Sequence, residues 1–307
     1  MNPTFEAAGL TVLERGWLSS NNVLFDGGGR HESVLIDSGY CTHGRQTVAL
    51  VRNALGSRRL DRVVNTHLHS DHCGGNHALQ AAFDCAIDVP AGEVDKVDRW
   101  DESLLTYRDT GQQCPRFTRT GAIGTDDRIR CGAWLWDVVA SPGHDPHSVV
   151  LHQPELRVLI SADALWENGF GVVFPELDGL EAFQDVRATL NRLGQLQVEW
   201  IIPGHGAPFQ GLDSALNRAH RRLDGFAADP ARHARHAAKV LIKFHLLEVQ
   251  SSGIDELFGW LESTRYMRVS HDYYFKTTPF REWVAALLKE LAAAQAIAIA
   301  GGRVKNT

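Results

Sequence analysis

Apolar positions in the first two-thirds of the chain fall in short unbroken runs rich in Val, Ile and Leu, punctuated by Gly, Asn and Asp. Residues 11–13, 22–25 and 33–36 read as strands of a meander. Gly27, Gly28 and Gly29 between the last two mark a hairpin. Residues 47–55 have helical spacing, 61–66 return to a short buried strand, and a helix restarts near Gly75. Residues 90–127 mix charge, Trp100, Tyr107 and small side chains without a clear period and read as helix plus loop. Strand patterns resume at 133–140, 148–152 and 157–161. Leu180, Phe183, Val186, Leu190 and Leu193 then mark one face of an amphipathic helix, and 198–202 is the last strand.

Past Gln210 the pattern changes. Segments 214–226, 230–249, 254–263 and 279–294 all read as helices, and no further strand is expected. In the last of them Phe280, Trp283, Val284, Leu287, Leu288 and Leu291 recur at helical spacing behind Pro279. The Ala-rich stretch 292–300 reads as helix packing. The expected organisation is a mixed α/β domain over residues 1–210 and a helical extension over 211–307, for which a winged-helix-like arrangement is one option.

Composition narrows the classes. With 307 residues, 44% of them hydrophobic and 22% charged, the chain can bury a core and is neither fibrous nor disordered. No apolar run approaches the ~18–20 residues of a bilayer span, and the N-terminal segment lacks a secretory pattern. Five scattered cysteines without a C-x-x-C pair point to reduced thiols, so a cytoplasmic location is expected. A net charge of −6 gives no general attraction to nucleic acid or anionic membrane. What stands out is 15 histidines in a weakly acidic chain.

Four ligand-type side chains, His67, His69, Asp71 and His72, crowd into THLHSDHCGG. Alternate residues of an extended segment project the same way, so His67 and His69 can face one metal while Asp71 and His72, past the turn, face a second. His144 in SPGHDPHS, Asp163 in SADAL and His205 in PGHG each sit at the end of an expected strand or the glycine turn after it. Strand ends converging on one sheet edge are where α/β folds build sites.

This order of HLHSDH, a Gly-His, a strand-terminal Asp and a second Gly-His resembles the metallo-β-lactamase superfamily over roughly residues 11–210. The resemblance implies an α/β (α+β) fold, an αββα sandwich with the metals at one edge and the helical extension appended. It implies His67, His69 and His144 on a first metal, Asp71, His72 and His205 on a second, and Asp163 bridging them. Asp37, in LIDSG, would support the ligands from behind. Imidazole and carboxylate donors suit two zinc ions, with manganese or iron as alternatives. A hydroxide bridging them would attack a carbonyl or phosphoryl centre, with Asp71 as catalytic proton acceptor or relay.

Departures from the pattern narrow the subfamily. Asp163 stands where the main zinc β-lactamases carry a cysteine, so a dedicated antibiotic-degrading enzyme is not expected. Cys73 reads as a buried thiol rather than a ligand. DALWENGFGVVF resembles the corresponding loop of glyoxalase II-type thioester hydrolases, although Val172 replaces their usual basic residue. Lactonases place a Tyr where this chain has Trp166, which cannot act as an acid. Trp166 and Phe170 are expected to line an apolar pocket. GHDPHS resembles a turn of compact single-strand endoribonucleases, with His147 matching their last His. Basic residues of the tail, among them Arg235, Lys239, Arg265 and Arg281, are interspersed with acids and read as a solvated face. His233, His236, His245 and His271 read as surface or packing residues.

The expected function is a dinuclear metal-dependent hydrolase of an ester, thioester or lactone of a small metabolite. Metal-dependent phosphodiester or RNA cleavage is the alternative, followed by an iron persulfide dioxygenase and a metal-binding regulatory protein. The expected partner is a small-molecule substrate, without membrane or nucleic acid. A homodimer interface is one role for the helices.

Overall fold

Strands buried on both faces need apolar side chains at every position, not at alternate ones, and the unbroken runs of this chain are used in that way. The computed structural model describes residues 2–307. A first sheet orders six strands β1 to β6 as Leu10–Leu13, Asn22–Phe25, Val34–Ile36, Arg62–Val64, Ala86–Pro90 and Gly121–Ile123. The first three pair antiparallel and the rest parallel. The second sheet holds β7 (Arg128–Cys131), β8 (Trp134–Ala140), β9 (Val149–Gln153), β10 (Val158–Ala162) and β11 (Trp200–Pro203), in the order β11-β10-β9-β8-β7. Only its β10–β11 pair is parallel.

Side-chain alternation sorts each run between two cores. Val34, Ile36 and Val64 meet Val149, Leu151, Val158, Ile160 and Ile202 between the sheets. Their neighbours Leu35 and Val63 pack outward with Val51, Leu55 and Leu79, which the helices Gly44–Leu55 and Asn76–Phe83 supply. On the other side Val150, Leu159 and Ile201 pack against Val186, Leu190, Leu216 and Leu223 of the helices Ala182–Leu193 and Leu212–Ala228. Helices, sheet, sheet and helices therefore stack as the αββα layers that the resemblance implies.

The tail departs from a purely helical reading. Helices Pro230–Val249, Ile254–Ser263, Arg265–Tyr274 and Phe280–Ala293 enclose a core containing Leu241, Leu246, Leu257 and Leu287. A small antiparallel sheet joins them, with β14 (Arg303–Asn306) between β12 (Ser251–Gly253) and β13 (Ile297–Ala300). The Ala-rich stretch thus ends as a strand, because Ile297 and Val304 must bury themselves against the tail helices and the turn Gly301–Gly302 returns the chain. β12, sequence Ser-Ser-Gly, has no apolar pattern of its own and is held by pairing with β14. Phe174 and Leu177 belong to the same core, so the tail packs directly onto the loop that follows β10.

Candidate metal centre

Every ligand-type residue singled out in the sequence lies in a connection leaving one edge of the two sheets. Asp37 follows β3, His67 and His69 follow β4, His144 lies between β8 and β9, Asp163 follows β10 and His205 follows β11. Two of these strand ends carry non-glycine residues with positive φ, Asp37 at 57° and Ala162 at 44°. Such conformations persist where the surroundings over-determine them, and here they aim Asp37 and Asp163 at the centre. Gly204 is required by crowding, since a Cβ there would run into the Asp163 carboxylate and lie 2.9 Å from His72 Cε1.

After β4 the chain stays extended through His69, whose φ and ψ are −63° and 148°, and then turns into the short helix Ser70–Cys73. This break separates the two pairs of the HLHSDH motif. His67, His69 and His144 form one group of donors, and Asp71, His72, Asp163 and His205 form another, the donor atoms of each lying within 4.8 Å of one another. His69 Nδ1 is 2.7 Å from His144 Nε2. In the second group His205 Nε2 lies 3.0 Å from Asp71 Oδ2, and His72 Nε2 lies 3.3 Å from Asp163 Oδ1. The other Asp163 oxygen, Oδ2, is 3.4 Å from His144 Nε2 in the first group.

The rear nitrogens of three of these rings, His67, His72 and His144, are held by the protein, which fixes the tautomers and the direction of the free nitrogens. His67 Nδ1 is 3.1 Å from Thr66 Oγ1, and His144 Nδ1 is 2.5 Å from the Val172 carbonyl. His72 Nδ1 is 2.8 Å from Asp37 Oδ2. Asp37 also accepts from the Thr66 amide at 2.9 Å and the Thr66 hydroxyl at 2.8 Å. His67 Nε2 and His72 Nε2 are buried and make no hydrogen bond. Buried orphan nitrogens facing carboxylates and other imidazoles fit a cation and not a packed interior.

The electrostatics agree. Burial drives His67 well down and His69 and His144 to about 4, so all three rings are neutral donors at pH 7. Burial also opposes charge on His72, but Asp163, Asp37 and Asp71 together outweigh it and raise its pKa well above the ordinary value. Asp163 is held well below the usual carboxylate range, because His72 and His205 overcome its burial. The second group is thus a buried concentration of negative charge that calls for positive charge. Removing Asp37 should weaken metal binding about 10- to 100-fold, the scale of support from behind a ligand. Titrating zinc into Asp37→Ala against a chromophoric chelator measures this, and unchanged affinity would deny Asp37 the role.

The superfamily description metallo-beta-lactamase matches residues 15–205. The chain belongs to that superfamily. Hydroxyacylglutathione hydrolase of Rhizobium meliloti (strain 1021) is 30% identical over 116 residues, 38% of this chain and 38% of that enzyme. The chain therefore spans well under two thirds of the length of the curated relatives it matches first. The probable metallo-hydrolase YflN of Bacillus subtilis (strain 168) is 25% identical over 207 residues, 59% of this chain and 78% of that protein. Among solved structures, a metallo-beta-lactamase family protein from Thermus thermophilus aligns over 98% of this chain and 99% of its own, with TM-score 0.58 and 20% identity. That last likeness is one of fold, and it extends through the tail.

Around the donors, this metallo-beta-lactamase superfamily chain builds a cavity of about 770 Å³ lined by His69, Asp71, His144, Asp163 and His205 together with residues of the tail. Trp166 lines it and donates its indole N–H to Asp163 Oδ1 at 3.2 Å. Phe170 does not. It is buried in the outer core against Phe226, because the Trp166–Gly169 bridge turns the chain inward there. Trp17, a residue the motif reading passed over, is 56% exposed and parallel to the His205 ring at 5.0 Å. In the sequence it is only a lone Trp in the connection between β1 and β2. Of the tail histidines expected at the surface or in packing, His233 is a buried packing residue whose Nε2 accepts from the Val173 amide at 3.3 Å, and His236 in addition lines the cavity.

His147 stands apart from both donor groups, half-exposed and 4.0 Å from Glu93. Glu93 is itself buried beside Lys96 at 2.7 Å. Burial and then Asp145 push its carboxyl up to about 7 against the pull of Lys96. From an ordinary value of 4.5, the folded chain then holds a proton that the unfolded chain has lost, so this contribution to stability declines as pH rises through about 7. Glu93→Gln should therefore shrink the fall in Tm between pH 5 and pH 8. An unchanged fall would assign the pH dependence elsewhere.

Proposed function

We propose that this chain is a dinuclear metal-dependent hydrolase of an ester, thioester or lactone of a small metabolite. The observation that carries the reading is Asp163, which turns Oδ2 toward His144 of one donor group and Oδ1 toward His72 of the other. One carboxylate serving two adjacent groups is what a pair of metal ions needs. Zinc suits the nitrogen and oxygen donors, with manganese or iron as alternatives. Bound there, divalent metal supplies Lewis acidity and a nucleophile available at neutral pH.

The remaining roles fall to the protein. Asp71 Oδ2, 3.0 Å from His205 Nε2, is poised to accept and hand on a proton. Trp166 fixes Asp163 through its N–H and has no acidic proton to give. Trp17 leans on His205, and Phe174 packs against His69 and His144, so apolar rings limit water around the reacting group. A cavity of about 770 Å³ with such walls suits a metabolite-sized acyl compound. The hydroxyacylglutathione hydrolases among the relatives keep thioesters on that panel.

Phosphodiester cleavage of RNA is the weaker reading because several of the tail's cations are already paired with carboxylates. Arg235 and Lys239 both contact Glu290, Arg265 bridges Asp109 and Asp178, and Arg281 pairs with Glu262. The deciding experiment is metal content per chain by plasma mass spectrometry, on protein prepared without added metal or a histidine tag. Two equivalents, with turnover in an ester, thioester and lactone panel, are expected. About one iron with oxygen uptake would turn the assignment to a dioxygenase. No metal and none taken up on titration would overturn it, and turnover confined to bis-p-nitrophenyl phosphate would favour the phosphodiesterase.

A further inference from the structure

The cavity that holds the metal donors runs on to the tail, where its wall carries the cations Arg222, Lys239 and Lys243. Two of these are already satisfied. Lys239 Nζ lies 3.3 Å from Glu290, and all three N–H donors of Lys243 are taken, by the Ala296 carbonyl at 2.6 Å, Asn306 Oδ1 at 2.5 Å and the Thr307 carbonyl oxygen at 3.2 Å. Arg222 is different. Among the described residues no carboxylate pairs with it, and its polar contacts are neutral: the Asn168 carbonyl at 3.3 Å and His236 Nε2 at 2.7 Å. Its guanidinium is braced over Phe226 at 5.4 Å and Phe170 at 5.8 Å, so it is positioned as well as charged.

A partly buried guanidinium without a counter-ion is unfavourable in the free protein and becomes favourable when an anion reaches it. Its surroundings sharpen the case. His236 accepts from Arg222 and is held neutral, its pKa lowered to about 3 by burial and then by Arg222 itself, so it adds no competing carboxylate and no second charge. The neighbouring Arg232 guanidinium reinforces the positive potential at Arg222. Between Arg222 and the donors lies the Trp166–Gly169 turn, whose residues Trp166, Glu167 and Asn168 all line the cavity.

We propose that the substrate carries a carboxylate remote from its scissile acyl bond, and that Arg222 receives that carboxylate through its planar fork of N–H donors. The inference rests on the hydrolase reading and specifies its substrate class. One free guanidinium matches one negative charge, and the Trp166–Gly169 turn between it and the metal donors sets that charge apart from the scissile bond. It also gives the tail a chemical task, since His236 on the helix Pro230–Val249 holds Arg222 on the helix Leu212–Ala228.

The test compares mono-p-nitrophenyl glutarate with p-nitrophenyl pentanoate, esters of equal chain length with an anionic and an apolar end. The metal-loaded full chain should show the higher kcat/KM on the glutarate. Arg222→Met should lower the ratio of the two about 10- to 100-fold, mainly through KM, the scale of one charge-assisted pair, and Arg222→Lys should retain part of it. A wild-type ratio of one or below overturns the proposal even if the variants fail to fold, as does an unchanged ratio in Arg222→Met. Should the wild type hydrolyse neither ester, the metal content and the wider thioester and lactone panel decide the hydrolase reading separately. Calorimetric binding of glutarate then decides the anion site, with equal affinity in wild type and Arg222→Met overturning it and at least tenfold weaker binding in the variant supporting it.

Discussion

Asp163→Ala should lose metal and about a thousandfold or more in hydrolysis while keeping its fold. The carboxylate lies 3.3 Å from His72 Nε2 and 3.4 Å from His144 Nε2, so its removal takes an oxygen from both donor groups at once. Metal assistance is worth several kcal/mol of transition-state stabilisation, and each 1.36 kcal/mol is about a factor of ten in rate, so losses near three decades follow. The fold should persist because β10 is held by its own side chains in the cores between and outside the sheets, and Asp37 and Asp71 remain to balance His72. Metal content and turnover measured together on a variant with an unaltered circular dichroism spectrum give the answer. Two metals retained, with activity within tenfold of the parent, would remove Asp163 from the centre.

That residue was legible in the sequence, and the reason is local. Its partners arrive at ends of short buried strands, and an unbroken apolar run followed by a lone Asp or a Gly-His pair needs no long-range knowledge to be noticed. Asp37, Asp163 and His205 all came from such strand ends, and HLHSDH from the turn after β4. Trp17 and Arg222 were not legible, because their meaning lies in what they meet: Trp17 acquires His205 across the chain, and Arg222 is notable only for the carboxylate it does not have. Phe170 failed for the opposite reason, since an aromatic beside a site looks the same in sequence whether it faces a cavity or Phe226. In the tail, β13 reads Ile-Ala-Ile-Ala inside an Ala-rich stretch, where helix propensity competes with alternation and tertiary pairing with β14 decides. The helix Arg265–Tyr274 was hidden by its polar and aromatic content, although Tyr266 and Met267 bury one side of it.

The second large effect should come from that tail. Leu287 is fully buried in the core formed by the tail helices. Truncating such a leucine loses its transfer free energy and leaves a cavity, typically about 2–5 kcal/mol. At roughly 2–4 °C per kcal/mol for chains approaching this size, Leu287→Ala should lower Tm by about 10 °C. The same core contains Val172 and Phe174, and the Val172 carbonyl holds His144 Nδ1 at 2.5 Å. Loosening the tail therefore loosens a metal ligand. His233 adds a second tie, because its Nε2 accepts from the Val173 amide in the same loop. The expected result is one shared transition, with metal released over the same temperature range in which tail helix content is lost, and both shifted together by Leu287→Ala. A variant whose metal release stays at the parental temperature while part of its helical signal melts early would show instead that the centre is built by the sandwich alone, leaving the tail to shape the cavity wall.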